Sequence, residues 1–491
     1  MFAAWRRIHQ ALDAVSLFSR VAHLPYSLWL DSGAHGRYMI LAWDPVRQLD
    51  LRHDDAECPF AALDRLTAEA PTLNDLPVDA PPYLTGVLGF LGYELGWNLE
   101  RIGEPKPNPH QIPDGVLILP GKALILDTLE KTTWVVAVTE SANAEQAVDE
   151  LLAQALASHR ESSQASKASE SAQSAASANP AASASPAVSA NPAATVNSDA
   201  ALPRVLRPLR PELSKADYLE RIRRVKHYIR EGDIFQANFT YQIAVDVADA
   251  DPWALYLHLR ETNGGQYAGY FNIPGYVILS GSPELFLRWD QTDIETIPIK
   301  GTRPRGTDAA SDLALRQDLA TSEKDRAELL MIVDLERNDL GKFCRPGTVE
   351  VPVLFDLEAH RTVWHQVAVV RGKLPPRISA GEILKATFPG GSITGAPKIR
   401  AMQIIHELEL SRRGIYTGSL GFLDARGLAG WNIAIRTMTF TDDREIRLYV
   451  GGGIVADSDP EDEYAETQVK ARGMLRALDA WSQGRIRPDW Y

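Results

Sequence analysis

An α+β fold is predicted for this 491-residue chain, and three observations predict it. Short apolar runs at 26–30, 38–42 and 134–138 alternate with turn residues and read as strands. A later amphipathic stretch, 215–231, sets Leu219, Ile222, Val225 and Ile229 on one side of a helix that ends at Gly232. Strands and helices then mix without a βαβ period, and several strand pairs look like hairpins, which disfavours a doubly wound parallel sheet. The glycine-rich run 86–93 lacks the G-x-G-x-x-G spacing of a dinucleotide-binding turn.

The bulk composition narrows the class. With 45% hydrophobic and 23% charged residues the chain has the balance of a soluble globular protein long enough for two or three ordinary domains. Its net charge of −13, from 51 basic and 64 acidic residues, disfavours a nucleic-acid partner. Two cysteines, Cys58 and Cys344, are too few for a disulfide framework, so a cytoplasmic location is expected. His9, Gln10 and Asp13 interrupt any secretory apolar core at the amino terminus, and no apolar run approaches the ~18 residues that span a bilayer.

After His159, Ser, Ala, Asn and Pro dominate as far as about Ala201. A stretch with so few large apolar side chains cannot offset its ordering entropy, so 159–205 is expected to be a disordered linker between an amino-terminal region, 1–158, and a carboxy-terminal region, 206–491. Composition alone allows two separate domains or an insertion in one composite fold.

The chemistry-bearing segments lie after the linker. Lys300 sits in the run Pro298-Ile299-Lys300-Gly301-Thr302-Arg303-Pro304-Arg305-Gly306, where positive charge from Arg303 and Arg305 and partial desolvation would free its amine for attack; the alternative is a solvated basic turn. Glu284, sixteen residues upstream and after the strand 276–279, is placed to act as an acid near Lys300, or as a plain ion-pair partner. In the helix 321–335, Ser322 and Asp325 suit the cap and third position, and Glu328 lies beside the buried stripe, either metal-bound or exposed at its margin. The run 390–398 leads into a helix with Pro397 in its first turn and offers amides to an anion, but is no Walker A loop. Gly451, Gly452 and Gly453 precede a helix bearing Glu463, Glu466 and Lys470, without EF-hand spacing; close approach by a ligand and a tight bend both explain three glycines. Paired acids, glycine-rich seats and arginines together point to a magnesium-assisted site for a multiply anionic small molecule.

Taken in order, Ser282-Pro283-Glu284, 298–306, Lys324-Asp325-Arg326-Ala327-Glu328, 334–339, Gly395-Ala396-Pro397-Lys398 and Gly451-Gly452-Gly453 resemble the chorismate-utilising enzymes from about Pro211 to the end. The first part resembles them more weakly, through Leu30-Asp31-Ser32 and 89–93, in a region that binds tryptophan in some members. The resemblance implies a composite antiparallel-sheet sandwich with surrounding helices. Members that form anthranilate carry alanine at the position of Lys300, whereas members that form aminodeoxychorismate carry lysine. It therefore implies that Lys300 attacks C2 of chorismate, that Glu284 protonates the departing 4-hydroxyl, and that ammonia then enters at C4, with anthranilate formation as the alternative. His365 matches a histidine beside the ring and joins Lys300 and Glu284 as catalytic. Tyr416, Arg436, Gly453 and Lys470 match positions that hold the substrate carboxylates, with Thr302, Ser392, Gly451 and Gly452 as further substrate contacts. Glu328 and Glu463 match magnesium ligands. Arg303-Pro304-Arg305-Gly306 looks more like the anthranilate-forming version of this turn, and Leu30-Asp31-Ser32 departs from the tryptophan-site pattern. Neither cysteine has the setting of a glutaminase nucleophile, so a separate glutaminase subunit or free ammonia is expected to supply nitrogen.

Overall fold

A computed structural model describes residues 1–33, 36–73, 75–176, 202–360, 363–442 and 444–487. Antiparallel pairings join its strands into one network with two arms that fork at the long strand Gly115–Asp127. Along the first arm, Phe2–Ile8, Thr132–Thr139, Gly115–Asp127, Tyr38–Leu51, Ser27–Asp31 and Ala268–Ile273 are neighbours in turn. Tyr276–Ser280, Thr437–Thr441, Glu445–Ile454, Gln236–Ala248 and Arg204–Pro211 complete it. The second arm continues from Gly115–Asp127 through Gly86–Leu91, Ser419–Asp424, Ala429–Asn432, Leu285–Trp289, Asp293–Ile297 and Val363–Lys373. Both Ile299–Pro304 and Glu350–Ala359 pair with Val363–Lys373. Because Ser27–Asp31 pairs with Ala268–Ile273, and Gly86–Leu91 with Ser419–Asp424, the regions before and after residue 159 share their sheets.

Helices cover the arms where their apolar stripes find a core. Lys215–Arg230, capped by the Ser214 hydroxyl, Pro252–Asn263 and Pro460–Trp481 bury Tyr218, Ile222, Leu255, Leu259, Met474 and Leu478 against Phe239, Ile243 and Leu448 of the first arm. Glu323–Gly341 buries Leu329 and Val333 with Phe286, Ala368 and Val370 of the second. No helix among the described residues is long and apolar enough to cross a membrane.

Several local features differ from expectation. The helix Ala144–Ala176 runs through His159 into the Ser/Ala-rich stretch, where alanine favours the helix; 177–201 lie outside the described residues. Lys300 lies on the strand Ile299–Pro304, since its backbone pairs with Val363–Lys373, rather than on a turn. Ser322 caps Glu323–Gly341 and accepts from the Asp325 amide, as predicted, and it also ends a separate helix, Ala309–Thr321, that the sequence reading did not include. Pro397 is the cap of Lys398–Leu408 rather than a first-turn residue, because its extended backbone continues the two-residue strand Gly395–Ala396.

Candidate active site

The second arm supplies the lysine and the acid. A register shift between Lys300 and Thr302 bulges the strand at Gly301, whose φ of 75° suits glycine and where a Cβ would lie 2.9 Å from Asp325, so the strand packs tightly on the helix Glu323–Gly341. The Lys300 Nζ donates to the Ser392 carbonyl at 3.3 Å, while the Ser392 hydroxyl donates to Glu284 Oε1 at 2.7 Å. Ser392 thus contacts both Lys300 and Glu284. Glu284 is buried, which pushes its carboxyl above the usual range, while the Ser392 hydrogen bond, Lys300, Arg436 and Lys470 pull the other way. His365 is 2% exposed, its Nδ1 lies 2.9 Å from the Thr302 hydroxyl, and burial, Arg436 and His360 hold it well below the ordinary imidazole range, hence neutral.

The arginines beside Lys300 do not act as the sequence predicts. Arg303 pairs with Asp318 at 2.5 Å and Asp325 at 3.1 Å, and Arg305 with Asp312 at 2.7 Å. Their charge is engaged in fastening the strand to the helices Ala309–Thr321 and Glu323–Gly341. Lys398 likewise turns away from the expected anion seat, onto Asp339 at 2.6 Å and the Thr387 carbonyl at 2.8 Å.

The first arm supplies anion seats and acids. Gly451, Gly452 and Gly453 lie within Glu445–Ile454, opposite Thr240, Phe239 and Asn238, so they form a strand rather than a bend. A Cβ on Gly452 would sit 3.3 Å from Glu463 Oε2 and 3.4 Å from Lys470 Nζ. Lys470 donates to the Gly451 carbonyl at 2.9 Å and pairs with Glu466 at 2.8 Å. Glu463 is 2% exposed, accepts from the Ser458 hydroxyl at 2.7 Å and meets Lys324 at 3.4 Å. Glu328 is half-buried and makes no hydrogen bond or ion pair among the described residues; burial raises it, and the charges that act on it are Lys300, Lys324, Glu466 and Glu463. The Arg436 guanidinium is also without a hydrogen bond or ion pair among the described residues; burial lowers it and Glu284 opposes that. Tyr416 is buried and stacks on Tyr449, centroids 5.0 Å apart.

No group of three or more His, Cys, Asp or Glu among the described residues is arranged to hold a metal alone. Glu328 and Glu463 offer an oxygen-only pair, the donor set of an ion such as Mg²⁺ that keeps its remaining positions for water and substrate. Away from this cluster, a cavity of about 830 Å³ is lined by Leu30, Asp31, Ser32, Tyr267 and Asn432. The Asp31 carboxyl there is taken by Arg260 at 2.5 Å, and the Ser32 hydroxyl is buried without a partner among the described residues.

Sequence reasoning missed two features. Glu336 is buried with its carboxyl against Gly391, and burial together with Asp339 pushes it up to about 8. Arg413, fully inside, pairs with Glu409 one helical turn earlier in sequence. The i,i+4 spacing of Glu409 and Arg413 was visible, but nothing in it distinguishes a buried pair from a surface one.

The chain matches the model of the chorismate binding enzyme family over residues 25–476. It is 34% identical over 477 residues to aminodeoxychorismate synthase component 1 of Salmonella typhimurium, covering 94% of this chain and 95% of that one. It is 36% identical over 448 residues to anthranilate synthase component 1 of Streptomyces coelicolor, covering 91% and 82%. Among solved structures, anthranilate synthase component I from Streptococcus pneumoniae superposes with a TM-score of 0.71 at 29% identity, covering 90% of this chain and 92% of that one. With a family match across both arms and a lysine, acids and anion seats gathered where they meet, the chain belongs to the chorismate binding enzymes.

Proposed function

We propose that the chain acts as an aminodeoxychorismate synthase of the component I type, converting chorismate and ammonia to 4-amino-4-deoxychorismate, a precursor of 4-aminobenzoate and folate. The observation that carries this reading is Lys300 set beside Glu284, both tied to Ser392. The Lys300 amine bonds to C2, the two conjugated ring double bonds shift, and the C4–O bond breaks as Glu284 gives its proton to the leaving hydroxyl, forming water. Ammonia then bonds to C4, the two double bonds return, the C2–N bond breaks to release Lys300 as the amine, and the Glu284 carboxylate takes a proton from the new ammonium. A carboxyl raised by burial suits the first half, in which it gives up a proton. Neutral His365, Thr302 and Ser392 line the ring side, and Arg436, Lys470, Tyr416 and the amides of Gly451, Gly452 and Gly453 receive the substrate carboxylates.

Glu328 and Glu463 would hold Mg²⁺, which when bound neutralises a substrate carboxylate and anchors it. Ammonia comes from a separate glutaminase subunit or from solution: Cys58 caps the helix Pro59–Ala68, and burial pushes the Cys344 thiol up to about 11, far from a reactive thiolate. Tryptophan is a candidate ligand for the Asp31 and Ser32 cavity. Anthranilate formation is the second reading, supported by the equal similarity of relatives with that name.

Mass analysis of the product from chorismate, Mg²⁺ and ammonium tests the proposal. We expect 4-amino-4-deoxychorismate, and its loss by at least about 100-fold in Lys300→Ala. Anthranilate as sole product, or full activity in the variant, overturns it.

A further inference from the structure

Three segments named for substrate contact converge behind the site on one buried ion pair. The Arg413 guanidinium has five N–H groups, and all are used. Nη1 donates to the Ile393 carbonyl at 2.9 Å and the Thr417 hydroxyl at 3.2 Å. Nη2 donates to the Asn238 carbonyl at 2.6 Å and Glu409 Oε1 at 2.7 Å, and Nε to Glu409 Oε2 at 2.9 Å. Glu409 in turn accepts from the Thr240 amide at 2.9 Å and its hydroxyl at 2.8 Å.

Each partner neighbours a seat. Ile393 follows Ser392, which holds Glu284 and Lys300. Thr417 follows Tyr416. Asn238 and Thr240 lie directly opposite Gly453 and Gly451 on the paired strand. The amino-terminal region closes the far side, where Glu94 accepts from the amides of Arg413 at 2.8 Å and Gly414 at 2.9 Å, and the Tyr93 ring lies 4.6 Å from the guanidinium carbon.

We propose that Arg413, fixed by Glu409, is a positioning residue of the reaction: it sets the Ser392 turn, the Tyr416 turn and the triple-glycine strand in mutual register, so that Ser392 stays on Glu284. A lysine at this place keeps the charge but has three donors and no planar fork, so it cannot hold all three segments. The Ser392 turn then loosens, and Glu284 loses a hydrogen bond that favours its ionised form. Its carboxyl moves further up, and the acid stays protonated to higher pH.

The inference rests on Glu284 acting as the acid of the proposed reaction, and the pH profile of kcat tests it. In Arg413→Lys we expect kcat to fall about 10- to 100-fold and its alkaline limb to move up by about one pH unit. Ser392→Ala moves the limb alike, and the double variant moves it no further, because both remove one hydrogen bond. A loss of folded protein scales kcat equally at every pH, so an unmoved limb in Arg413→Lys, or additive shifts in the double variant, overturns the role. If Arg413→Lys does not fold, Thr417→Ala, which removes one of the five contacts, is expected to move the limb the same way by less, and an unmoved limb there is equally fatal. A wild-type enzyme that makes no aminodeoxychorismate sinks the functional reading instead.

Discussion

Glu336 has no cation of its own among the described residues. Lys398 binds the neighbouring Asp339, and Lys342 meets the same aspartate at 2.7 Å. Deprived of water and of a counter-ion, the Glu336 carboxyl keeps its proton to about 8, well above its ordinary value of 4.5. The folded protein therefore binds this proton more tightly than the unfolded chain, so stability is greatest below about 4.5 on this account, and is lost as pH rises towards 8. Thermal unfolding of the wild type and Glu336→Gln at pH 5, 7 and 8.5 checks this: wild-type Tm should fall relative to the variant by several degrees across that span. Parallel curves would show that the carboxyl titrates normally. The sequence marked Glu328 for its place beside a buried stripe, yet Glu336, two turns on and more deeply buried, passed unnoticed. Which acid lies under a loop depends on how the Gly391 turn packs, and that contact is 55 residues distant in sequence. Lys300 could be singled out from its sequence context, but the ion-pairing of its two arginines could not, because their partners, Asp312, Asp318 and Asp325, lie on helices whose placement the local pattern does not specify.

The triple-glycine strand separates two reasons for glycine. At Gly451 an added Cβ would run into the Phe239 carbonyl of the paired strand, a rigid wall. At Gly452 it would meet the ends of the Glu463, Lys470 and Glu466 side chains and no backbone. Gly451→Ala is accordingly expected to cost about 1–3 kcal/mol of stability, read from denaturant midpoints. Gly452→Ala should leave the midpoint nearly unchanged while lowering kcat/KM at least about tenfold, because it displaces the acid and the lysine. Reversal of the two outcomes would mean that the strand, not the ligand seat, demands glycine at Gly452. Elements were legible where one period dominates, as in Lys215–Arg230 and Thr132–Thr139. They were missed where no broad apolar stripe marks them, as in Ala309–Thr321, which buries only Leu319.

At the level of the molecule, each region completes the sheets of the other. Without Ser27–Asp31 and Gly86–Leu91, the strands Ala268–Ile273 and Ser419–Asp424 would each lose a partner along their whole length. Residues 206–491 expressed alone should therefore aggregate, whereas co-expression with 1–176 should restore a monodisperse complex on size-exclusion chromatography; a well-folded 206–491 would contradict this. Removal of 177–201 is expected to leave activity within about twofold, since composition gives that stretch no core to contribute. Composition located the break in the chain but carried no information on strand pairing across it, which is why the shared sheets rested on resemblance before the pairings were seen. Among the described residues, the last strand of the first arm, Arg204–Pro211, pairs on one side only and slips register twice against Gln236–Ala248. Its Pro208 and Pro211 withhold two amides, so the open margin of the sheet is a poor template for another copy and disfavours fibril growth.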